Sequence, residues 1–456
     1  MANKLGEHAV VVGGSLAGMM SAAVLSDHFD RVTVFERDPV ENGPLLHRSV
    51  PQGNHIHALL LGGQDVMASL YPGFTDELEQ LGAVRFRSGI DVIFYAPNGK
   101  GYNGTLSVKV PRDLGLVGHV MSRGLLEYQV RRRTIALANV HLKTESPIEA
   151  LVHRDGRVRG VTCRRAPTSI IDADLVIDAS GRGSHAMRWL AEMGVSAPEE
   201  TAIGVDFAYT STKFRRPEDT QGAEPMMLIG GPPPNYTRGG GLFEIEGGIW
   251  HVSLAGRFGD YPPTDEAGFM RFAKELPSPR LYELISGAER VAEITHHRFP
   301  TSVWRHYEGL ERFPERFLIV GDAVCSFNPV YGQGMSSAAL QVRELRAVLR
   351  GRATESDGLD DLAPAFFPRA AEAISAPWIL AANFDFAYPQ TRGERPSGME
   401  AGAAYFAALD SLQAEDINVQ RLITEVFQLC RPLSALREEP LLSRVLERMR
   451  GPQTLG

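Results

Sequence analysis

The chain has 456 residues, 43% of them hydrophobic and 22% charged, the proportions of a soluble globular protein with room for about two or three domains. A formal net charge of −8 argues against nucleic acid as a partner. No run reaches the roughly 18 uninterrupted apolar residues of a transmembrane span, and the widely separated Cys163, Cys325 and Cys430 suit a reducing cytoplasm better than a disulfide framework.

The first residues lead directly into a strand at Ala9–Val12, so no signal or transit segment is expected. A glycine turn, Gly13-Gly-Ser-Leu-Ala-Gly18, follows. A helical run from Met19 to about Phe29 comes next, then a strand from Val32 that ends on Glu36. Strand, glycine turn, helix, strand and acid is the order of a dinucleotide fold. Gly13 permits the tight turn and Gly18 the close approach of helix to strand. The helix N-terminus offers N–H groups to a pyrophosphate, and Glu36 can accept both ribose hydroxyls. Ser15 stands where the usual pattern has its middle glycine, and its hydroxyl or N–H would donate to the pyrophosphate. The expected cofactor contacts here are Gly13, Gly14, Ser15, Leu16, Ala17, Gly18, Glu36 and Arg37.

Farther along, Ala83 to Val110 reads as a hairpin turning at Pro97-Asn-Gly99. Ser122 opens a helix that continues through Ala138, with Arg131 to Arg133 on a solvated face. Val140–Leu142, a hairpin at Asp155-Gly156 and Leu175–Ile177 read as strands returning to the nucleotide sheet. The last of these ends in Asp178-Ala-Ser-Gly-Arg-Gly-Ser184, an acid and a glycine turn. From Ala202 to His306, strands alternate with Gly/Pro-rich connections, the pattern of an antiparallel substrate domain. Leu318–Val320 then runs into Gly321-Asp322, a Pro/Gly loop and, after Gly334, a helix to about Leu349.

Two nucleotide signatures so far apart describe one long bipartite ligand, and FAD fits. The expected fold is α/β. It has a discontinuous Rossmann-like FAD-binding domain (1–75, 111–190 and 311–350), a β-hairpin excursion (76–110), an antiparallel β-sheet substrate domain (191–310) and a helical C-terminal region (351–456). In that last region Leu422, Ile423, Val426, Phe427 and Leu429 form an apolar face. Arg421 and Glu425 flank it without a basic stripe, so it should pack on the protein's own core. No Cys-x-x-Cys, His-Glu-x-x-His or Gly-x-Ser-x-Gly occurs, and His55-Ile-His57 has no carboxylate or cysteine beside it. No metal site is therefore expected, and the demanding chemistry belongs to an organic cofactor.

The three segments Gly13–Gly18 with Glu36, Asp178–Ser184 and Gly321 through Gly334 resemble, in this order, those of FAD-dependent group A monooxygenases. Asp-Ala-Ser-Gly replaces the commoner Asp-Gly of the second. Together with Val50-Pro-Gln-x-x-His-x-His57 and Phe327-Asn-Pro-Val-Tyr-Gly-x-Gly-Met335, they are most similar to bacterial polyether-ionophore epoxidases, which epoxidise trisubstituted alkenes of polyketide precursors. The resemblance extends to about Leu349.

It implies that Asp322 holds the flavin ribityl chain and that Arg123 contacts the ribityl or pyrophosphate region. Gly332, Gln333, Gly334 and Met335, with Ser336, would pass beneath the pyrimidine side of the ring, and Asp178 would help seat nucleotide or flavin. Arg48, Pro51, Gln52 and His57 would lie near the ring, with no catalytic protein nucleophile. It further implies NAD(P)H as a transient reductant and oxygen transfer through a flavin C4a-hydroperoxide. The acceptor would be a small apolar molecule: an alkene of a polyketide or terpenoid for an epoxidase, a phenol for a hydroxylase. The halogenase motif Trp-x-Trp-x-Ile-Pro is absent, Gly248-Ile-Trp-His251 being the nearest segment. A prenyl reductase and a non-enzymatic prenyl-binding protein share the scaffold, though intact Glu36 and Asp322 argue against the latter.

Overall fold

The computed structural model describes residues 4–41, 43–44, 51–103, 107–108, 110–220, 224–355 and 358–450. The parallel-sheet half uses β1 (Gly6–Val12), α1 (Leu16–Ser26), β2 (Phe29–Phe35), α2 (Arg123–Ile135), β3 (Val140–Lys143) and β4 (Leu175–Asp178). The mixed-sheet half follows with β5 (Glu199–Arg215), β6 (Ile249–Arg257) and β7 (Thr295–His306). The chain then returns through β8 (Phe317–Ile319) and α3 (Gly334–Glu355), and ends in α4 (Leu362–Asp385), α5 (Met399–Glu415), α6 (Ile417–Phe427) and α7 (Leu441–Arg450).

Ala9 to Val12 and Leu175 to Asp178 are buried without interruption, as strands covered on both faces require. They lie in a parallel sheet of order β8-β4-β1-β2-β3. Val12 is opposite both Asp178 and Phe35, Asp178 is opposite Ile319, and Phe35 is opposite Lys143. All five strands therefore end along one edge. The loops that leave them meet there, which is where open α/β sheets bind ligands.

Two boundaries differ from the sequence reading. The helix α1 begins at Leu16 and stops at Ser26, while Phe29, fully buried, already belongs to β2. The hairpin at Asp155-Gly156 does not join the parallel sheet. Its strands, Ile148–Arg154 and Arg157–Cys163, pair with Ala166–Asp172 in a separate antiparallel sheet. There Leu151, Val158 and Val161 are buried while His153 and Arg159 are exposed. One wet face is acceptable in an antiparallel sheet and not in a central parallel strand.

The second large sheet has the order Cys325–Ser326, β7, β5, β6, Gly239–Ile245, Met226–Ile229, Val92–Tyr95, Gly101–Tyr102. Its neighbours are antiparallel except Met226–Ile229 with Val92–Tyr95, so the expected antiparallel sheet is mixed. The parallel pair arises because the early hairpin supplies the outer two strands. Along β6, Trp250, Val252 and Leu254 pack with Phe269, Phe272 and Leu281 of the helices Glu266–Lys274 and Arg280–Ile285. Tyr209 on β5 and Phe299 on β7 join the core of the parallel-sheet half instead, so the two faces serve different partners, as the period of two dictates.

The C-terminal helices form a cluster around Leu409, Leu412, Ile423, Val426 and Val445. Leu422 and Phe427 pack against it and Leu429 joins the main core, which accounts for the apolar face of α6 within the protein itself. Among the described residues no helix is long and apolar enough to cross a membrane.

Candidate cofactor and substrate site

At the sheet edge Gly13 has φ +104°, and a Cβ there would stand 2.6 Å from the carbonyl oxygen of Ala179. A Cβ on Gly18 would stand 1.9 Å from the carbonyl oxygen of Gly13. Only glycines let α1 press onto β1 this closely. The N–H groups of the first turn of α1 have no partner within the helix and point out of its N-terminus.

Of the two donors expected at Ser15, the hydroxyl is already engaged. It donates to Glu127 Oε1 at 2.6 Å and accepts from Arg123 Nη2 at 3.2 Å. The side chain is thus engaged with α2, and only its backbone N–H remains for a phosphate. Arg123 and Glu127 are themselves paired, Nη2 to Oε1 at 2.7 Å, both nearly buried. Ser122 caps their helix by accepting from the Leu125 N–H at 3.1 Å. Glu36 is buried, with Oε2 accepting from the Gly14 N–H at 2.7 Å and Oε1 from the Asp38 N–H at 2.9 Å. The acid thus braces the turn and still faces the cavity.

That cavity measures about 640 Å³. Gly13, Gly14, Ser15, Leu16, Ala17, Glu36, Arg37 and Arg123 line it from the first signature, and Asp322, Gly332, Gln333, Gly334 and Met335 from the last. Gln52 and His57 complete its wall. Gly18 is a packing residue beneath it. Asp178 does not reach the surface: it is fully buried, and its two carboxylate oxygens accept from the Ser180 and Ser184 hydroxyls, shaping the loop instead of meeting a ligand. Arg48 lies outside the described residues.

Asp322 is half-buried and accepts no hydrogen bond from any described residue. Burial raises its carboxyl above the usual range, while Arg123 and Arg182 pull it back. The side-chain oxygen of Gln333 is also buried without a partner. An unmatched acceptor is costly unless a ligand completes it. These two, with the glycine cradle and the α1 N-terminus, fit a polar bipartite ligand such as FAD.

The segment carrying both sequence-flagged histidines is pinned to the mixed sheet. His55 Nδ1 shares a hydrogen bond with the Ser211 hydroxyl at 2.7 Å, the Ile56 N–H donates to Ser253 at 3.0 Å, and the His251 Nε2–H donates to the Asn54 carbonyl at 2.9 Å. His55 is buried edge-on against Tyr209, ring centroids 4.1 Å apart, and burial followed by His297 lowers its pKa to about 2. It is a structural residue. His57 faces the cavity and donates from Nδ1 to the His55 carbonyl at 2.8 Å. Burial, then Arg123, lowers its pKa to about 4, so it is neutral with a free Nε2.

Several neighbours escaped the sequence reading. Arg182, Tyr209, His297 and Phe299 line the same cavity. Arg182 was visible within its glycine loop, and Glu127 was signalled by its spacing of four from Arg123; Tyr209 and His297 meet only through strand register. Behind the loop, Asp385 Oδ1 accepts from Arg257 Nη1 at 2.8 Å, Asn328 Nδ2 at 2.8 Å and the Tyr331 hydroxyl at 2.7 Å. The last turn of α4, β6 and the loop leading to Gly332 are thereby tied at one carboxylate oxygen.

This arrangement can be set beside known proteins. Protein Rv3254 of Mycobacterium tuberculosis is 33% identical over 411 residues, covering 86% of this chain and 84% of that protein. The chain belongs to the Rv3254 family. No family model matches it. A more distant relative of this Rv3254-family protein is squalene epoxidase 2, mitochondrial, of Arabidopsis thaliana, 22% identical over 347 residues, 76% of this chain and 54% of that protein; the chain thus spans about half the length of that relative. Among solved structures, flavin-dependent brominase Bmp2 superposes with a TM-score of 0.68 at 14% identity, over 98% of this chain and 99% of that one. At that identity the likeness shows a shared fold.

Proposed function

We propose that this chain is an FAD-dependent monooxygenase that epoxidises a carbon–carbon double bond of a polyketide or terpenoid intermediate, using NAD(P)H and O2. The observation that carries the reading is the convergence of both nucleotide signatures on one cavity that continues onto the aromatic face of the mixed sheet. Glu36 would hold the adenosine ribose with Arg37 beside it, and the N–H groups of Ser15 to Ala17 the pyrophosphate. Arg123 and Asp322 would hold the ribityl chain, and Gly332 to Met335 would lie against the ring. Bound FAD supplies the redox chemistry: two electrons come from NAD(P)H, and one atom of O2 enters the substrate while the other leaves as water.

The protein's own contribution is placement and dryness. His57 and His55 are neutral and only weakly basic, which suits an alkene, because its epoxidation requires no substrate deprotonation. The likeness to squalene epoxidase 2 supports the same choice, as does the motif resemblance to polyether-ionophore epoxidases. A phenol hydroxylase is favoured by one observation, an imidazole on the cavity wall without a hydrogen-bond partner among the described residues, that of His297, whose basicity burial lowers as it does that of His57.

The test is purification followed by oxygen-uptake measurements with NADPH or NADH across a panel of polyenes and phenols. About one FAD per chain and one atom of isotopic oxygen in an epoxide are expected. Product without label overturns the monooxygenase reading. Bromide-dependent product, the chemistry of Bmp2, would replace it with halogenation, and labelled phenolic products would select the hydroxylase.

A further inference from the structure

The sheet side of the cavity carries three polar side chains that the protein leaves unmatched. Tyr209 on β5 and His297 on β7 are directly opposite in the register, with ring centroids 5.5 Å apart. Two residues along β7, on the same face, Phe299 supports Arg182. That arginine reaches over from the glycine loop after β4 and lays its guanidinium 4.5 Å from the Phe299 ring centroid. All four residues line the cavity. Among the described residues no carboxylate lies within ion-pairing distance of Arg182, and neither the Tyr209 hydroxyl nor the His297 imidazole takes part in a hydrogen bond.

Arg123 differs, being matched to Glu127. Arg182 feels Asp322 across the cavity, but a guanidinium whose direct contact is an aromatic face keeps its planar fork of N–H donors for a ligand. Burial keeps the Tyr209 phenol protonated and His297 neutral, so each adds a neutral donor beside the Arg182 charge. One cation flanked by neutral donors matches a monoanion. The Phe299 and Tyr209 rings next to it offer flat apolar contact.

We infer that Arg182, Tyr209 and His297 form a carboxylate subsite, and that the molecule oxidised in this chamber is an unsaturated carboxylic acid held by its acid end. This rests on the monooxygenase reading and narrows its substrate class. Anchoring one end by a bidentate carboxylate–guanidinium contact fixes how far along the aromatic wall the double bond lies.

The test is calorimetric titration of the FAD-loaded protein with sorbate, cinnamate, geranate and linoleate, each beside its methyl ester. At least one acid should bind about 10- to 100-fold tighter than its ester, the loss expected for a charge-assisted hydrogen bond. Arg182→Gln should abolish the preference and Arg182→Lys restore part of it; because Arg182 acts on Asp322 only through space, FAD affinity should fall far less than acid affinity in Arg182→Gln. Tyr209→Phe should weaken the acid and leave the ester unaffected. The inference is overturned by equal binding of acids and esters, by no acid binding, or by a preference that survives Arg182→Gln. It also falls if Arg182→Gln weakens FAD as much as it weakens the acid, because the guanidinium then serves the cofactor. A protein that takes up no FAD defeats the broader reading in its absorption spectrum alone, and the acid–ester comparison can still be made on the FAD-free chain.

Discussion

Replacing Asp385 with alanine strikes the point where three segments are tied. The side chains of Arg257 and Asp385 are 7% and 1% exposed, at 2.8 Å. After the substitution the guanidinium stays buried, with the Tyr331 hydroxyl at 3.1 Å and the rings of Tyr388 and Phe207 at 4.9 and 5.4 Å for company. Breaking a buried pair from one side costs about 3–5 kcal/mol, because the remaining charge is uncompensated. Asn328 and Tyr331 lose the same acceptor, which places the cost toward the upper end. At about 2 °C per kcal/mol, the low end for domains of 150–250 residues, the melting temperature should fall by about 6–10 °C. Scanning calorimetry at low and high salt measures it, and the drop should be insensitive to salt because the pair is shielded from it. The double substitution Arg257→Met with Asp385→Leu should recover most of the loss, since it removes the stranded charge as well. A single variant within about 2 °C of the parent, or a double variant as unstable as the single, would refute the reasoning.

Asp322→Ala should weaken FAD about 10- to 100-fold by removing a charge-assisted bond, as read by flavin fluorescence; undiminished occupancy would remove Asp322 from the site. Ser15→Gly should bind FAD nearly as well as the parent, since the N–H survives, whereas Ser15→Val should bind less because branched carbons would displace the Glu127–Arg123 pair. Equal affinities would show that this turn does not meet the pyrophosphate. Burial lowers His55, His57 and His251 to about 2, 4 and 3. The unfolded chain therefore binds protons first, so stability should decline as the pH falls below about 6.5 and level off only below the folded values, with no contribution from these groups above neutrality. His55→Gln should make that acid limb shallower in denaturation curves taken from pH 7 to 4, and an identical limb would count against a neutral buried imidazole.

The legible parts of this protein are local. Gly13, Gly18 and Glu36 announce a nucleotide turn because the strand, turn, helix and acid lie within one stretch of chain, and each has a role set by backbone geometry. Asp322 and Gly332 to Met335 lie in a second such strand–loop–helix stretch, and the structure brings them to the same cavity. What stayed hidden depends on pairing between distant segments. The hairpin at Asp155-Gly156 has the composition of any strand pair, and only its wet outer face assigns it to its own sheet. The Ser15 hydroxyl looked free for phosphate because nothing near it in the chain reveals Glu127 across the α1–α2 contact, which leaves the N–H for that role. Asp385 reads only as an interruption, with Asn383, of the apolar stretch Ile379 to Tyr388, until Arg257, Asn328 and Tyr331 converge on it. Asp178 shows the opposite error, in which a correctly found loop motif had its acid spent on the loop's own hydroxyls.

The parallel sheet also sets a schedule for biosynthesis. Its central strand β1 ends at Val12, but β8, which pairs with β4, begins at Phe317. At translation rates of about 5–20 residues per second, a ribosome delivers β8 roughly 15–60 s after β1. From the completion of β4 at Asp178 until then, roughly 7–28 s at the same rates, the nascent chain carries β4 with one row of backbone N–H and C=O groups unpaired, an invitation to intermolecular strand addition. The loop from Gly321 to Gly334 arrives in the same late stretch, so cofactor capture cannot stabilise the early folding stages by mass action. Production in a heterologous host should therefore benefit from slower synthesis or added chaperone more than from added riboflavin.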